Sequence, residues 1–418
     1  MSSKRGFLWI GFCLLCIVLP FAFSQPAAPR YDLLLQGGHV IDPRNGLDAV
    51  LDVGITGGRI AAVARGLSPS QATQVVRVDG MYVTPGLVDI HTHLFHGTAP
   101  DSYLSNGLSA VAPDGFTFRS GVTTAVDAGG AGWRNFRQFK VQVIDVARTR
   151  VLALINVVGA GMRGGPFEQD LDDMNSQLTA QRAREYKDVI VGIKTAHYRG
   201  AEWDPVDRAV EAGRLAGVPI MVDFGEFIPE RPFQDLVGKH LRPGDMYTHA
   251  YRDKVPFVDA EGKLLPYLLE ARRRGVLFDV GHGGGSFLFR QAVPAMRAGF
   301  APDSISTDLH TGSMNGGMKD MLNVMSKFLN MGMSLQDAIL KSTWAPARQI
   351  QRAELGHLSV GAVADVAVLA LRNGNFGFVD VGGGRLTGTQ KLECELTLRD
   401  GRVVWDLNGI SRLAWDKQ

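Results

Sequence analysis

Two histidines one residue apart, His91 and His93 in the segment LVDIHTH, are the first residues in this chain that could do chemistry. On a strand, residues two apart share a face, so both imidazoles project to the same side. Neutral imidazole is a good ligand for Zn²⁺ and similar cations, and the pair reads as the seed of a metal site. The chain has ten histidines, and seven of them (His91, His93, His96, His197, His249, His282 and His310) stand at or just after the end of a short apolar run. A single histidine is usually structural or solvated. Seven in equivalent positions fit a metal site better.

Other groups extend the set. Lys194 ends the run VIVGIK, where a bare ammonium would be costly unless paired or neutralised. Two readings compete: a carboxylated lysine, whose carbamate is anionic and can bridge two cations, or a lysine paired with a neighbouring carboxylate. His249 in DMYTHAY and Asp308 in SISTDLH add nitrogen and oxygen ligands. Asp308 is the natural general base, able both to bind a metal and to take a proton from water. His282, beside the glycines of GHGGGSF, either orients substrate or makes a structural bond to the neighbouring loop. His197, three residues after Lys194, is a second candidate for substrate contact.

These groups need a frame that brings them together. Eight strand-like runs (GLVDIHTH, GVTTAVDAGG, RVLALINVVG, DVIVGIKTAH, VPIMVDFG, GDMYTHAY, GVLFDVGHG and DSISTDLH) alternate with helix-like stretches. Alternating strand and helix implies a parallel sheet, and eight units imply a closed (β/α)8 TIM barrel with its reactive groups at the carboxyl ends of the strands. Ser334, with Asp337 three residues on, marks the start of a late helix. The barrel is expected over residues 86–350. Residues 25–85 and 351–418 are rich in β-branched residues and carry hairpin signals at Gly57-Gly58 and Asp400-Gly401. Neither end has enough core to stand alone, so the two should pair into one small β-sandwich domain. The long segment from Leu94 to Phe118, with Tyr103 in it, is expected to cover the pocket.

The first residues read as a targeting signal. Lys4 and Arg5 precede an apolar run from Gly6 to Phe23, and Ala22-Phe23-Ser24 offers a small-x-small cleavage pattern. Cleavage near Ser24 implies an exported protein, periplasmic or secreted, with no stable membrane insertion. It also removes two positive charges, so the 44 Lys and Arg come to match the 42 Asp and Glu. A net charge near zero gives no reason to expect nucleic acid as a partner. Of the three cysteines only Cys394 lies beyond the signal, so stability should come from a large core and not from disulfides. A small molecule is the expected substrate, and a homo-oligomer is open.

Taken together, these residues resemble the amidohydrolase superfamily, and most closely its deacetylase-like metallohydrolases, related to dihydroorotases and D-aminoacylases. The resemblance rests on PGLVDIHTH, on GIKTAH, on His249, on FDVGHGGGSF, on STDLHTGSMN with MSKFLNMGMS, and on the closing run from Gly356 to Asp365. It implies one or two divalent ions, zinc by default and manganese as alternative. His91 and His93 would hold the first, Asp308 would contact it, Lys194 would bridge as a carbamate, and His249 would hold the second. It also implies a histidine at the end of the fifth strand, where this chain has Asp223. Asp223 would ligate directly or through water, or the second metal would be weak or absent; His197 could compensate. The implied activity is an exported amidohydrolase or deacetylase, using metal-activated water on an amide or ester of a small N-acyl or O-acyl compound. A cyclic amidase of the dihydroorotase or hydantoinase kind is the runner-up. A barrel with a degraded second site that only binds is the third reading.

Overall fold

The computed structural model describes residues 31–97, 110–224, 228–255 and 257–417. The expected signal, residues 1–24, lies outside them, as do residues 98–109 of the expected pocket cover, Tyr103 included.

The chain opens with five strands: β1 (Tyr31–Asp42), β2 (Leu47–Thr56), β3 (Arg59–Ala64), β4 (Ala72–Arg77) and β5 (Tyr82–Pro85). Seven parallel strands then follow in chain order around the second sheet. They are β6 (Leu87–Thr92), β7 (Val122–Gly132), β8 (Arg150–Asn156), β9 (Ile190–Ala196), β10 (Ile220–Asp223), β11 (Met246–Tyr247) and β12 (Leu277–Phe278). The eighth expected run makes bridges instead of a ladder. Ser304 pairs parallel with Asp279 next to β12, and Leu309 pairs parallel with Thr92 on β6. This segment joins the two edges of the sheet, and each of the eight runs read from the sequence has its place in the circuit.

The ladder is short at that seam because side chains take over its work. Asp279 accepts the hydroxyls of Thr248 (2.8 Å), Ser304 (2.6 Å) and Ser306 (2.6 Å). Asp89 on β6 accepts the Thr307 amide at 3.1 Å as well as the Thr307 hydroxyl. Both carboxylates are buried, and burial pushes the Asp89 carboxyl up to about 7. Polar groups inside a barrel cost stability unless they are paired. Here the pairing itself stitches the last segment to its neighbours.

The chain ends in β13 (Val366–Val379), β14 (Arg385–Arg399) and β15 (Arg402–Asp406), which join the first five strands. The order is β15-β14-β13-β5-β1-β2-β3, with β4 also pairing β1. The two ends of the chain do meet, and hydrogen bonding joins them in one eight-stranded sheet. Leu35, Val40, Val53, Val83, Val366 and Leu396 belong to a core of its own. Both expected hairpins form with two-residue loops: Gly57 and Gly58 have φ of 57° and 74°, and Asp400 and Gly401 have 56° and 71°. Positive φ at both central residues is what a type I′ turn demands, which is why glycine sits there. Ser334 caps the helix Leu335–Leu340 by accepting the Asp337 amide at 3.0 Å.

Sheet and barrel are fastened at their junction. Asp365 accepts Arg399 at 3.2 Å and the Asp400 amide at 2.9 Å, and it also meets Arg150 of β8. No helix among the described residues is long and apolar enough to cross a membrane.

Gly129 on β7 has φ 91°, and a Cβ there would lie 2.6 Å from Cγ of Lys194. Gly129→Ala should therefore cost about 2–4 kcal/mol, combining left-handed backbone strain with overpacking. Urea unfolding measures this, and an unchanged midpoint would contradict the packing described.

Candidate metal centre

The strand ends deliver three ligand groups to one point. The closest nitrogens of His91 and His93 and a carboxylate oxygen of Asp308 all lie within 4.8 Å of one another. Asp308 Oδ1 is 2.9 Å from His93 Nε2 and 3.5 Å from His91 Nε2. Lys194 brings its Nζ to 3.4 Å from His91 Nε2 and is fully buried.

The second nitrogens of His91 and His249 are already committed. Thr248 Oγ1 donates to Asp279, so at 2.9 Å from His91 Nδ1 it must accept that N–H. His249 Nδ1 donates to the Gly281 carbonyl at 2.6 Å. Both rings are thereby fixed with the Nε2 lone pair aimed at the centre, the arrangement by which proteins orient metal-ligating histidines. Gly281 has φ 45°, and a Cβ there would come within 2.3 Å of Thr248 Oγ1 and 3.0 Å of His91 Nδ1, so only glycine fits.

Electrostatics favours the ligating forms. Burial, helped by the nearby Lys194 ammonium, lowers His91 to about 3 and keeps it neutral. Burial alone would raise the Asp308 carboxyl, but His91 and His93 outweigh it and hold Asp308 below the usual carboxylate range. Burial lowers Lys194, against the pull of Asp223 and Asp308. Among the described residues no carboxylate lies within ion-pair distance of its Nζ, so the paired-lysine reading finds no partner there.

Asp223 ends β10 with one oxygen facing two imidazoles. Its Oδ2 lies 3.1 Å from His249 Nε2 and 3.1 Å from His197 Nε2. Its buried Oδ1 has no hydrogen-bond partner among the described residues, and Arg252 stands 3.7 Å away. The convergent nitrogens of His91 and His93 and the buried carboxylate of Asp308 fit a divalent cation.

Strain is concentrated on the same rim. Among the described residues six that are not glycine have positive φ, and three of them are His197 (57°), His249 (65°) and Asp308 (51°). Left-handed backbone costs of order 1–3 kcal/mol per residue, and it persists where the surroundings over-determine it.

His282 and His310 are engaged in other ways. His282 is fully buried, stacks on Phe287 at 4.5 Å, donates to the Gly283 carbonyl at 3.0 Å and meets Lys327 Nζ at 2.7 Å. With both nitrogens engaged it has the surroundings of the structural alternative, and no free group faces a substrate. His310 caps the short helix Thr311–Met314, with Nε2 3.8 Å from Asp308 Oδ2.

Sequence reasoning missed Thr248, Asp279 and Glu168. Glu168, only 2% exposed, holds His197 Nδ1 at 3.0 Å. A carboxylate inside the apolar run LFDVG was the one available signal for Asp279.

The profile described as "Amidohydrolase family" matches residues 289–404. A protein named deacetylase from Agrobacterium fabrum is 33% identical over 334 residues, covering 78% of this chain and 79% of that protein. Among solved structures, one titled as an adenine deaminase superposes with a TM-score of 0.81 at 28% identity, covering 90% of this chain and all of that one. Another, titled as a dihydroorotase, gives 0.79 at 29% identity, covering 90% of this chain and 99% of that one.

Thr248→Val keeps the volume but breaks the chain of bonds from His91 to Asp279. Zn²⁺ affinity, read by competition with a chromophoric chelator, should fall roughly 10–100-fold. Wild-type affinity would show that the relay is not needed.

Proposed function

Because the chain belongs to the amidohydrolase superfamily, among its deacetylase-like members, we propose that it removes the acyl group from a small N-acyl or O-acyl compound by metal-dependent hydrolysis. Membership makes it a hydrolase acting on carbon–nitrogen bonds. The reading is carried by the convergence of His91, His93 and Asp308 within 4.8 Å at the carboxyl ends of the strands, where such barrels do their chemistry. His91, His93 and Asp308 would hold the first cation. His249 and Asp223 would hold a second, and carboxylated Lys194 would lie between the two.

A divalent cation in this site, zinc first and manganese second, supplies Lewis acidity toward water and toward a substrate carbonyl. The remaining tasks fall to the chain. Asp308 takes the proton from the attacking water and returns it to the leaving nitrogen or oxygen. The bonds from Thr248 and Gly281 keep the His91 and His249 rings from turning. Buried walls around Lys194 and Asp223 limit the water that could compete. Export also belongs to this reading; it rests on the basic start and apolar run of residues 4–23 and fits a catabolic role.

The cyclic-amidase alternative draws on the dihydroorotase-titled neighbour. A panel of N-acetyl amino acids, acyl esters, hydantoins and dihydroorotate decides between them. Turnover confined to the cyclic amides would replace the deacetylase reading with the cyclic one.

Asp308→Asn should lower kcat by roughly a hundredfold to ten-thousandfold. Wild-type turnover by that variant would remove Asp308 from the proton-transfer role. Dialysis against a chelator should abolish activity, and added Zn²⁺ or Mn²⁺ should restore it. Full activity without metal would overturn the metal-dependent reading.

A further inference from the structure

Residues 281–285 run Gly-His-Gly-Gly-Gly, so His282 carries the only side chain of the segment. The backbone on either side of it walls the metal centre. The Gly281 carbonyl accepts the His249 Nδ1–H at 2.6 Å. A Cβ on Gly281 would stand 3.0 Å from His91 Nδ1, and one on Gly283 would stand 2.3 Å from Asp308 Oδ2. The segment thus meets three groups of the site, while its one side chain is engaged elsewhere.

That engagement explains a buried lysine. His282 Nδ1 lies 3.0 Å from the Gly283 carbonyl, which can only accept, so Nδ1 carries the ring proton. Nε2 is left with a lone pair, and in a dry interior it needs a donor. The donor is Lys327 Nζ at 2.7 Å, on the helix Met321–Asn330. Both residues are fully buried. The same Nζ donates to the Gly317 carbonyl at 2.6 Å and lies 5.6 Å from the centre of the Phe287 ring that stacks on His282. Among the described residues no carboxylate stands within ion-pair distance of it, and burial pushes Lys327 down to about 7. An amine donates as well as an ammonium does, so the contact with His282 needs no charge.

We propose that Lys327, acting through His282, is a positioning residue for the metal centre. It pins residues 281–283, so that the Gly281 carbonyl fixes the His249 ring and the Gly283 backbone seats the Asp308 carboxylate. The inference rests on the metal-dependent reading above and goes beyond it by giving a task to a residue on the helix Met321–Asn330.

Two observations favour positioning over packing alone. Glycine backbone is the least restrained there is, and Gly281 and Gly283 both have positive φ, 45° and 57°. Their own side chains can supply no restraint, so His282 must. The segment is also tied to the residues just before Asp308: the Gly281 amide donates to Ser306 Oγ at 2.9 Å and the Gly283 amide to the Thr307 carbonyl at 2.9 Å. A shift of the loop is therefore a shift of the carboxylate that takes the proton. The competing explanation is that Lys327 only stabilises the fold. It predicts that any variant that stays folded keeps full turnover per bound metal.

Hydrogen exchange of the metal-stripped protein and turnover per bound Zn²⁺ test the assignment together. Lys327→Met keeps the length and loses the donor. It should speed exchange of the 281–283 amides about tenfold or more, while the β9 amides stay protected. In the loaded enzyme kcat should fall roughly 10–100-fold, with KM changed by less than about threefold. His282→Asn keeps an N–H for the Gly283 carbonyl but offers Lys327 nothing, and it should behave alike; it also carries the test if Lys327→Met does not fold. Joining the two should be no worse than the worse single variant, because both break one chain of contacts. Unchanged loop exchange in both variants would overturn the proposal, as would wild-type kcat per bound Zn²⁺ in either. Additive losses in the double variant would overturn it too, and so would faster exchange spread through the barrel strands of both. A wild type that turns over no acyl substrate would remove the hydrolysis reading, and loop exchange would then uphold or overturn the pinning by itself.

Discussion

The carboxylate of Asp279 is the interaction on which the rest of this site depends. It is fully buried, which alone would raise its pKa, yet His91 and the hydroxyls of Ser304 and Ser306 hold it below the usual value. Those hydroxyls and that of Thr248 tie β12 to the segment on one side and the end of β11 on the other. Through Thr248 the same carboxylate dictates which nitrogen of His91 carries the proton. One charge thus does two tasks: it secures the weakest seam of the barrel and sets a ligand's tautomer. Removing it would leave three hydroxyls without their acceptor in a dry interior, a loss of several kcal/mol by the usual cost of unmet buried groups.

Much of the frame was legible because it is written in local patterns. The eight apolar runs fall on β6–β12 and the bridging segment. Gly57-Gly58 and Asp400-Gly401 make the hairpins that their chemistry requires, and Ser334 caps its helix. The convergence of His91, His93 and Asp308 followed from placing strand ends on one rim. What could not be read was set by contacts across long stretches of chain. Nothing near Thr248 says that its hydroxyl will meet a histidine 157 residues earlier. Nothing near Glu168 points to His197. His282 stayed between two roles for a related reason: its place beside a glycine loop gave no sign of Phe287 and Lys327, which enclose it. The chain ends are joined because β5 pairs with both β1 and β13, a choice that alternating apolar residues do not encode.

The glycines and the strained residues describe one constraint from two sides. Gly281 and Gly283 leave no room for a side chain: a Cβ on the second would stand 2.3 Å from Asp308 Oδ2. His197, His249 and Asp308 bear left-handed backbone where glycine would be easier, because their side chains are needed. The loop therefore uses glycine where another group must approach and tolerates strain where a group must be delivered. Such strain persists only if the surroundings hold it, and the large apolar core packed on the barrel strands provides that rigidity.

That division bears on how such a site changes its donors without losing its frame. The end of β10 carries Asp223, and the residue that follows the end of β9 beside it is His197. β9 and β10 are paired in parallel, with Asp223 beside Ala196 and its carbonyl accepting the His197 amide at 3.1 Å. The two positions are thus locked in register by backbone, independent of any cation. The barrel fixes where side chains arrive, and the residue at each arrival point sets the charge and reach that the rim presents.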